Sequence, residues 1–338
     1  MSATTLHLVV PGLTGPRPID RAPTAPALEW LLARARSHAV AADPESLLLQ
    51  LFGLPVAAEV EQPVAALTRL GDGGAVDGEG WWLRADPVHL RADLHGVLLA
   101  DARALAIDAT EAALLAAAFD HTFATDGLQL DVPHPQRWYL RLPADPGIRT
   151  RPLAEVIGRD INALLPQGSA ARRWRTLMTE VQMLFHAHPV NRAREEQQLP
   201  LLNGLWFWGG GPCPVSAQAP AAGLYARDPL ARGLAHLAQA AIQPLPDDAA
   251  DWRAISDDEP SSLVLLDATR YDPIDDDAPA WAARVAELER DWFAPCRQWL
   301  ERGELAALHL YPGNGCCYSV SPAARWRFWR RARSLSAY

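Results

Sequence analysis

Brief apolar runs separated by amphipathic stretches set the tightest limit on how this chain can fold. Residues 6–10, 263–266 and 306–311 each read as a short buried strand, the first closed by Pro11-Gly12. Residues 26–39 place Leu28, Leu31, Leu32 and Ala35 at helical spacing, with Pro26 at a start where a missing N–H costs little. A second helix is predicted over 45–52, stopping at Gly53, and a long amphipathic one over 278–302. Short strands alternating with helices predict an α/β protein with a mostly parallel sheet covered on both faces. No repeat of fixed period interrupts that pattern.

The middle of the chain has a different character. A glycine- and acid-rich loop at 71–80 precedes Trp81-Trp82-Leu83-Arg84, alternating pieces at 88–90 and 97–99, an alanine-rich helix over 110–123 and a strand over 138–142. Helices are predicted at 153–164 and 170–186, then an apolar strand over 201–208 that ends in three glycines. A chain of 338 residues has room for a core and a smaller lobe. The expected division is a core of 1–86 and 188–338 with an inserted α+β lobe at 87–187.

A net charge of −9 opposes general nucleic-acid binding, which needs a dominant positive field. All 31 basic residues are arginine, which is most simply coding bias. Acidic clusters stand at Asp247-Asp248, Asp257-Asp258-Glu259 and Asp275-Asp276-Asp277, whereas residues 325–338 carry only basic charge. The four cysteines lack zinc-ligand spacing and read as free thiols in a reducing cytoplasm. No apolar stretch approaches the ~20 residues that span a bilayer, and no signal-like segment opens the chain, so a cytoplasmic location is expected.

The run His188-Pro189-Val190-Asn191, followed by Asn203-Gly204-Leu205-Trp206-Phe207-Trp208-Gly209-Gly210-Gly211, resembles a signature of archaeal-type, cofactor-independent phosphoglycerate mutases of the alkaline phosphatase superfamily. Over nearly its full length the chain is similar to bacterial RpfE-type regulatory proteins, with segments 82–90 and 180–184 typical of that group. The resemblance implies an alkaline phosphatase-like sheet. It also implies two divalent metals and a serine that accepts the phosphoryl group, with metals that neutralise the transferring oxygens.

Several of the implied positions are altered. Pro11 stands where the mutases have a metal-binding Asp, and Tyr311-Pro312-Gly313-Asn314 stands where they have Asp-His. The nucleophile region Asp43-Pro44-Glu45-Ser46 lacks Gly-Ser-Asp and leaves Ser46 displaced from that register. Asp272 and Asp276 match a metal-binding Asp-x-x-x-His pair, with Asp276 in place of the His; a solvated acidic loop is the competing reading. Arg84 and Arg103 match substrate-contacting arginines and suit phosphate or carboxylate, or else form ion pairs of their own. Asn191, Asn203, Trp206 and Trp208 join them as candidate ligand-binding residues, although two tryptophans on one strand face more often pack against a helix.

Residues 325–333, Arg-Trp-Arg-Phe-Trp-Arg-Arg-Ala-Arg, interleave aromatics with five arginines. They are either a docking surface for an acidic partner, an anionic membrane face or nucleic acid, or a helix that buries its aromatics on the core. The expectation is a catalytically silent, mutase-like regulatory protein without a cofactor. It would bind a phosphorylated or carboxylate metabolite through Arg84 and Arg103, or a protein partner through 325–333. The alternative is an enzyme with a rebuilt site. There Asp272, Asp276 and Asp20 would hold Mn or another divalent metal, and Ser46 or Thr14 would take the phosphoryl group.

Overall fold

The computed structural model describes residues 4–16, 23–57, 61–75, 80–93, 96–256 and 258–338. Asp20, Asp257 and part of the 71–80 loop lie outside the described residues. The chain divides into two compact units, Met1–Val56 with Ser216–Tyr338, and Ala57–Val215.

The first unit opens with β1 (Thr4–Val9), α1 (Pro26–Arg34), β2 (Arg36–Ala39) and α2 (Pro44–Leu51). The second unit holds α3 (Val64–Gly71), β3 (Trp81–Asp93), β4 (Gly96–Ala100) and α4 (Ala109–Phe123). It continues with β5 (Gln129–His134), β6 (Arg137–Leu142), α5 (Ala171–Ala187), α6 (Pro189–Glu196) and β7 (Gly204–Gly211). The first unit then resumes with β8 (Gly223–Tyr225), α7 (Pro229–Leu237), β9 (Ile242–Gln243), α8 (Ala249–Ile255) and β10 (Ser261–Leu265). It closes with the single turn α9 (Asp272–Asp275), α10 (Ala278–Leu288), α11 (Ala294–Arg302), β11 (Leu305–Tyr311) and β12 (Cys316–Val320).

Seven strands in the order β2-β12-β11-β1-β10-β8-β9 form the sheet of the first unit. β1 pairs in parallel with both β10 and β11, as its continuous apolar character predicts for a central strand. Leu6, Leu8 and Val10 face a core shared with Leu28, Trp281, Val285 and Phe293. A π-helical turn, Glu289–Phe293, joins α10 to α11. There the carboxylate of Glu289 accepts from the N–H groups of Ala27 (2.6 Å) and Leu28 (3.0 Å), capping α1, whose own N-cap is an alanine.

In the second unit β3 is the organiser. Its first half pairs antiparallel with β6 and with β7, and its last residues, 89–93, pair antiparallel with β4. One core packs α4 and α5 against Leu83, Trp138, Leu140, Leu205 and Phe207. A smaller cluster joins Ala65 and Ala66 of α3 to Trp82 and Tyr139. A boundary at 86/87 would cut β3 in two within its pairing with β7, leaving its pairing with β4 on the far side. The second unit therefore includes 57–86 and 188–215 as well as 87–187.

Two local expectations are corrected. The helix expected over 26–39 ends at Arg34, because residues 36–39 pair antiparallel with β12. The helix expected over 153–164 is two single turns, 153–155 and 161–163, separated by Gly158 at φ +70°.

Candidate functional site

In an open parallel sheet the loops at the carboxyl ends of the strands are where chemistry is ordinarily placed. In the first unit four such loops converge. β1 ends at Val9 and leads into Pro11-Gly12; the Thr269 hydroxyl in the loop after β10 donates to the Pro11 carbonyl at 2.8 Å. Gly12 has φ +79°, and a Cβ there would lie 2.0 Å from the Thr269 carbonyl oxygen, so only glycine permits this approach. Gly313, after β11, passes the same point, its added Cβ 3.4 Å from Pro11 Cα.

The dominant charge in this region belongs to Arg270. Its guanidinium reaches Glu45 at the start of α2 (2.5 Å) and Asp228, the N-cap of α7 (2.9 Å). Burial by itself would lower the arginine's pKa, but the two carboxylates hold it above its usual value. Sequence reading missed this residue, and nothing local in the sequence marks it.

The expected catalytic and metal residues fall close by in sequence but are otherwise engaged. Ser46 is buried in the first turn of α2, with its N–H on the Asp43 cap at 2.7 Å. Among the described residues no hydrogen bond joins its hydroxyl to a base. Asp272 is buried and held by Arg284, Nε to Oδ2 at 2.8 Å, with a second close contact from the same guanidinium to Oδ1. Asp276 is the left-handed residue that ends α9, exposed at φ +52°. No group of three or more His, Cys, Asp or Glu among the described residues is arranged to hold a metal ion.

The candidate ligand-binding residues lie in the second unit, where most of them serve its interior. Arg84 and Asp86, both buried, pair at 2.5 Å, and the Trp208 indole N–H donates to the other Asp86 oxygen at 2.7 Å. The Arg84 guanidinium stands over the rings of Tyr139 (5.2 Å) and Trp208 (5.4 Å). Burial opposes its charge, yet Asp86 and the more distant Asp72 hold its pKa up, while burial pushes the Asp86 carboxyl up from its ordinary value. Asp72 is held down by Arg137 and Tyr139 despite burial. Trp206 is also buried, donating to the Arg151 carbonyl at 2.9 Å. The two tryptophans thus form no exposed stacking platform.

Asn191 bridges the Phe185 and Leu202 carbonyls, both at 2.7 Å, and accepts from the Leu202 N–H. Asn203 makes the equivalent pair of bonds with the Leu90 backbone, at 2.6 and 2.8 Å. Both asparagines fasten loop backbone to their neighbours. Arg103 is partly exposed and bonds to Asp101 at 2.6 Å.

One polar cluster escaped the sequence reading because its members come from different strands. On one face of the first unit's sheet, His7 stacks on His309 with ring centroids 4.7 Å apart. His7 Nδ1 lies 3.1 Å from the Tyr311 hydroxyl, and His309 Nδ1 lies 2.8 Å from Ser319 Oγ. Burial, with His309 adding to it, lowers the His7 pKa to about 4; burial and His38 lower that of His309.

The sheet order and the loops at its carboxyl edge define an α/β protein of the alkaline phosphatase-like, cofactor-independent phosphoglycerate mutase fold. The solved cofactor-independent phosphoglycerate mutase of Thermoplasma acidophilum superposes with a TM-score of 0.50 at 16% identity, over 99% of this chain and 94% of that one. The PH0037 protein of Pyrococcus horikoshii gives a TM-score of 0.58 at 15% identity, over 99% and 92%. In sequence, the 2,3-bisphosphoglycerate-independent phosphoglycerate mutase of Methanothrix thermoacetophila is 36% identical over 63 residues, covering 19% of this chain and 16% of that protein. A probable 2,3-bisphosphoglycerate-independent phosphoglycerate mutase of Geobacter sulfurreducens is 34% identical over 71 residues, covering 21% and 18%. These matches thus span less than a fifth of either curated relative. No protein-family model matches the chain.

Proposed function

We propose that this chain is a mutase-fold protein that does not carry out two-metal phosphoryl transfer and instead acts as a regulatory binding protein. The observation that supports this most directly is Arg270, a guanidinium shared by Glu45 and Asp228 at the carboxyl edge of the sheet. Carboxylates already neutralised by an arginine are poor ligands for a divalent ion, because binding would first have to break a buried pair. Asp272 is in the same position with Arg284, and Pro11 offers no side-chain donor. The donor set therefore does not fit the metals that the mutase resemblance implies, and no reaction step is assigned to them.

Nor does Arg84 present its guanidinium to a metabolite, since Asp86 and two aromatic rings enclose it. The binding role accordingly passes to surface groups.

The test is a coupled assay of 3-phosphoglycerate to 2-phosphoglycerate conversion at high protein concentration with added Mn²⁺, with Asp272→Ala run beside the native chain. The expected outcome is no conversion, or equal traces in both samples. Conversion by the native chain that Asp272→Ala abolishes would overturn the proposal and assign Asp272 to a working metal site.

A further inference from the structure

The segment 322–335 is neither a helix docked on the core nor a loose strand. A 3₁₀ turn, Pro322–Trp326, leads into irregular backbone, and the segment is fastened at both ends by the buried side chains of Ala324 and Leu335. Arg327 donates to the Arg34 carbonyl and Arg330 to the Ala35 carbonyl (2.6 Å), so two of its arginines satisfy the last carbonyls of α1. Of the two readings of this segment, exposure rather than burial of its aromatics holds: Trp326 is 63% exposed, Phe328 77% and Trp329 67%.

Those three rings present roughly 400 Å² of aromatic surface to water, taking each ring at about 200 Å². Exposed apolar area on that scale is often functional. The segment itself carries five arginines. Among the described residues no carboxylate pairs with Arg325, Arg327, Arg330, Arg331 or Arg333, and the sequence has no Asp or Glu after Glu304. Arg36 adds to the cluster from β2, and its field, with burial as the larger cause, lowers the Arg327 pKa. A chain of net charge −9 has thus gathered cations without paired carboxylates in one short segment that also exposes Trp326 and the touching rings of Phe328 and Trp329.

Three occupants would meet those charges: an acidic protein, a single-stranded nucleic acid or an anionic bilayer. Stacking of successive bases needs parallel ring faces, whereas Phe328 and Trp329 stand edge to face at 5.4 Å and 81°. An acidic peptide uses the arginines and leaves the aromatic area in water. A bilayer interface uses both, because Trp and Phe settle at the headgroup level while arginines meet anionic lipid.

We propose that residues 325–333 form a docking loop for anionic phospholipid surfaces, with Trp326, Phe328 and Trp329 entering the headgroup layer and Arg331 and Arg333 holding lipid phosphates. Arg327 and Arg330 keep the loop in shape by their bonds to α1. The docking does not depend on whether the mutase-like core is silent, and the two are tested by separate readouts.

The experiment is vesicle co-sedimentation of the full chain with phosphatidylcholine vesicles, alone or containing about one-third phosphatidylserine, at low and high salt. A poly-glutamate peptide and a single-stranded oligonucleotide serve as competitors. Binding is expected to the phosphatidylserine vesicles only, and to weaken as salt rises. Arg331→Gln/Arg333→Gln is expected to lower partitioning about thirtyfold, since each arginine near such a surface contributes about fivefold. Trp326→Ser/Phe328→Ser/Trp329→Ser is expected to lower it at least tenfold without changing the melting temperature, because these side chains are exposed.

Absence of vesicle binding would overturn the proposal, as would equal binding to the uncharged vesicles. So would tight binding of either competitor alone, which would assign the loop to an acidic protein or to nucleic acid. Binding that survives the aromatic triple variant would overturn the assigned role of the rings.

Discussion

Replacing Arg270 by methionine removes the one cation that Glu45 and Asp228 share while keeping much of the side chain's volume. The two carboxylates then stand unpaired, with side-chain exposures of only 12% and 9%. Breaking a buried pair costs about 3–5 kcal/mol, and the residual access to water here places the expected loss near the lower bound, about 3 kcal/mol. In a unit of this size that corresponds to a fall of about 6–12 °C in melting temperature.

The assay is differential scanning calorimetry, in which the two units are expected to give separate transitions. Only the transition of the first unit is expected to move. Arg270→Lys keeps the charge but cannot fork between two carboxylates, so it falls between the wild type and Arg270→Met. Arg270→Met/Glu45→Gln/Asp228→Asn restores most of the loss, since it leaves no charge behind and Asn still caps α7. A methionine variant within about 2 °C of the native chain, or a triple variant no more stable than the single one, would refute the reasoning.

Two further outcomes follow from buried charge. His7 and His309 both have lowered pKa values in the folded chain, His7 at about 4 against an unfolded value of 6.5. Below the unfolded value the unfolded chain takes up protons that the folded chain refuses, so their contribution is present above pH 6.5 and lost as pH falls towards 4. For His7 the slope approaches about 1.4 kcal/mol per pH unit, and melting curves of His7→Gln between pH 7 and 4 should be measurably flatter. In the second unit, Asp86→Ala strands the Arg84 guanidinium and removes the acceptor of Trp208, at a cost of about 3–5 kcal/mol. Trp208→Phe removes one hydrogen bond and should cost about 1–3 kcal/mol in urea denaturation, and an Asp86→Ala loss no larger than that would contradict the pairing.

The parts of the fold that the sequence announced are those whose signal is local. The strands near 6–10, 263–266 and 306–311 are apolar because both of their faces are covered, and α4 carries its own capping box in Asp108 and Glu111. β2 was hidden because Arg36, Ser37, His38 and Ala39 are exposed, and only their pairing with β12 makes them a strand. β8 and β9, at three and two residues, are too short to carry a period.

The candidate site was legible only in outline. Resemblance located Arg84 and Asp272, but not that Asp86 and Arg284 had taken them. Arg270 left no trace at all, because its two partners lie 225 and 42 positions away. A guanidinium that replaces a ligand set is recognised by convergence in space, and no spacing rule encodes it.

The way β1 is paired also decides the order in which the chain can assemble. β1 is synthesised long before its two neighbours in the sheet, which begin at Ser261 and Leu305. The unit Ala57–Val215 is synthesised in between, and among the described residues its strands pair only with one another. The nascent chain thus carries an apolar strand with both edges open until β10 and β11 have been made, and such edges pair readily with other chains. Recovery from dilution out of denaturant should therefore be limited by protein concentration through β1, while the continuous unit regains its structure first and without help.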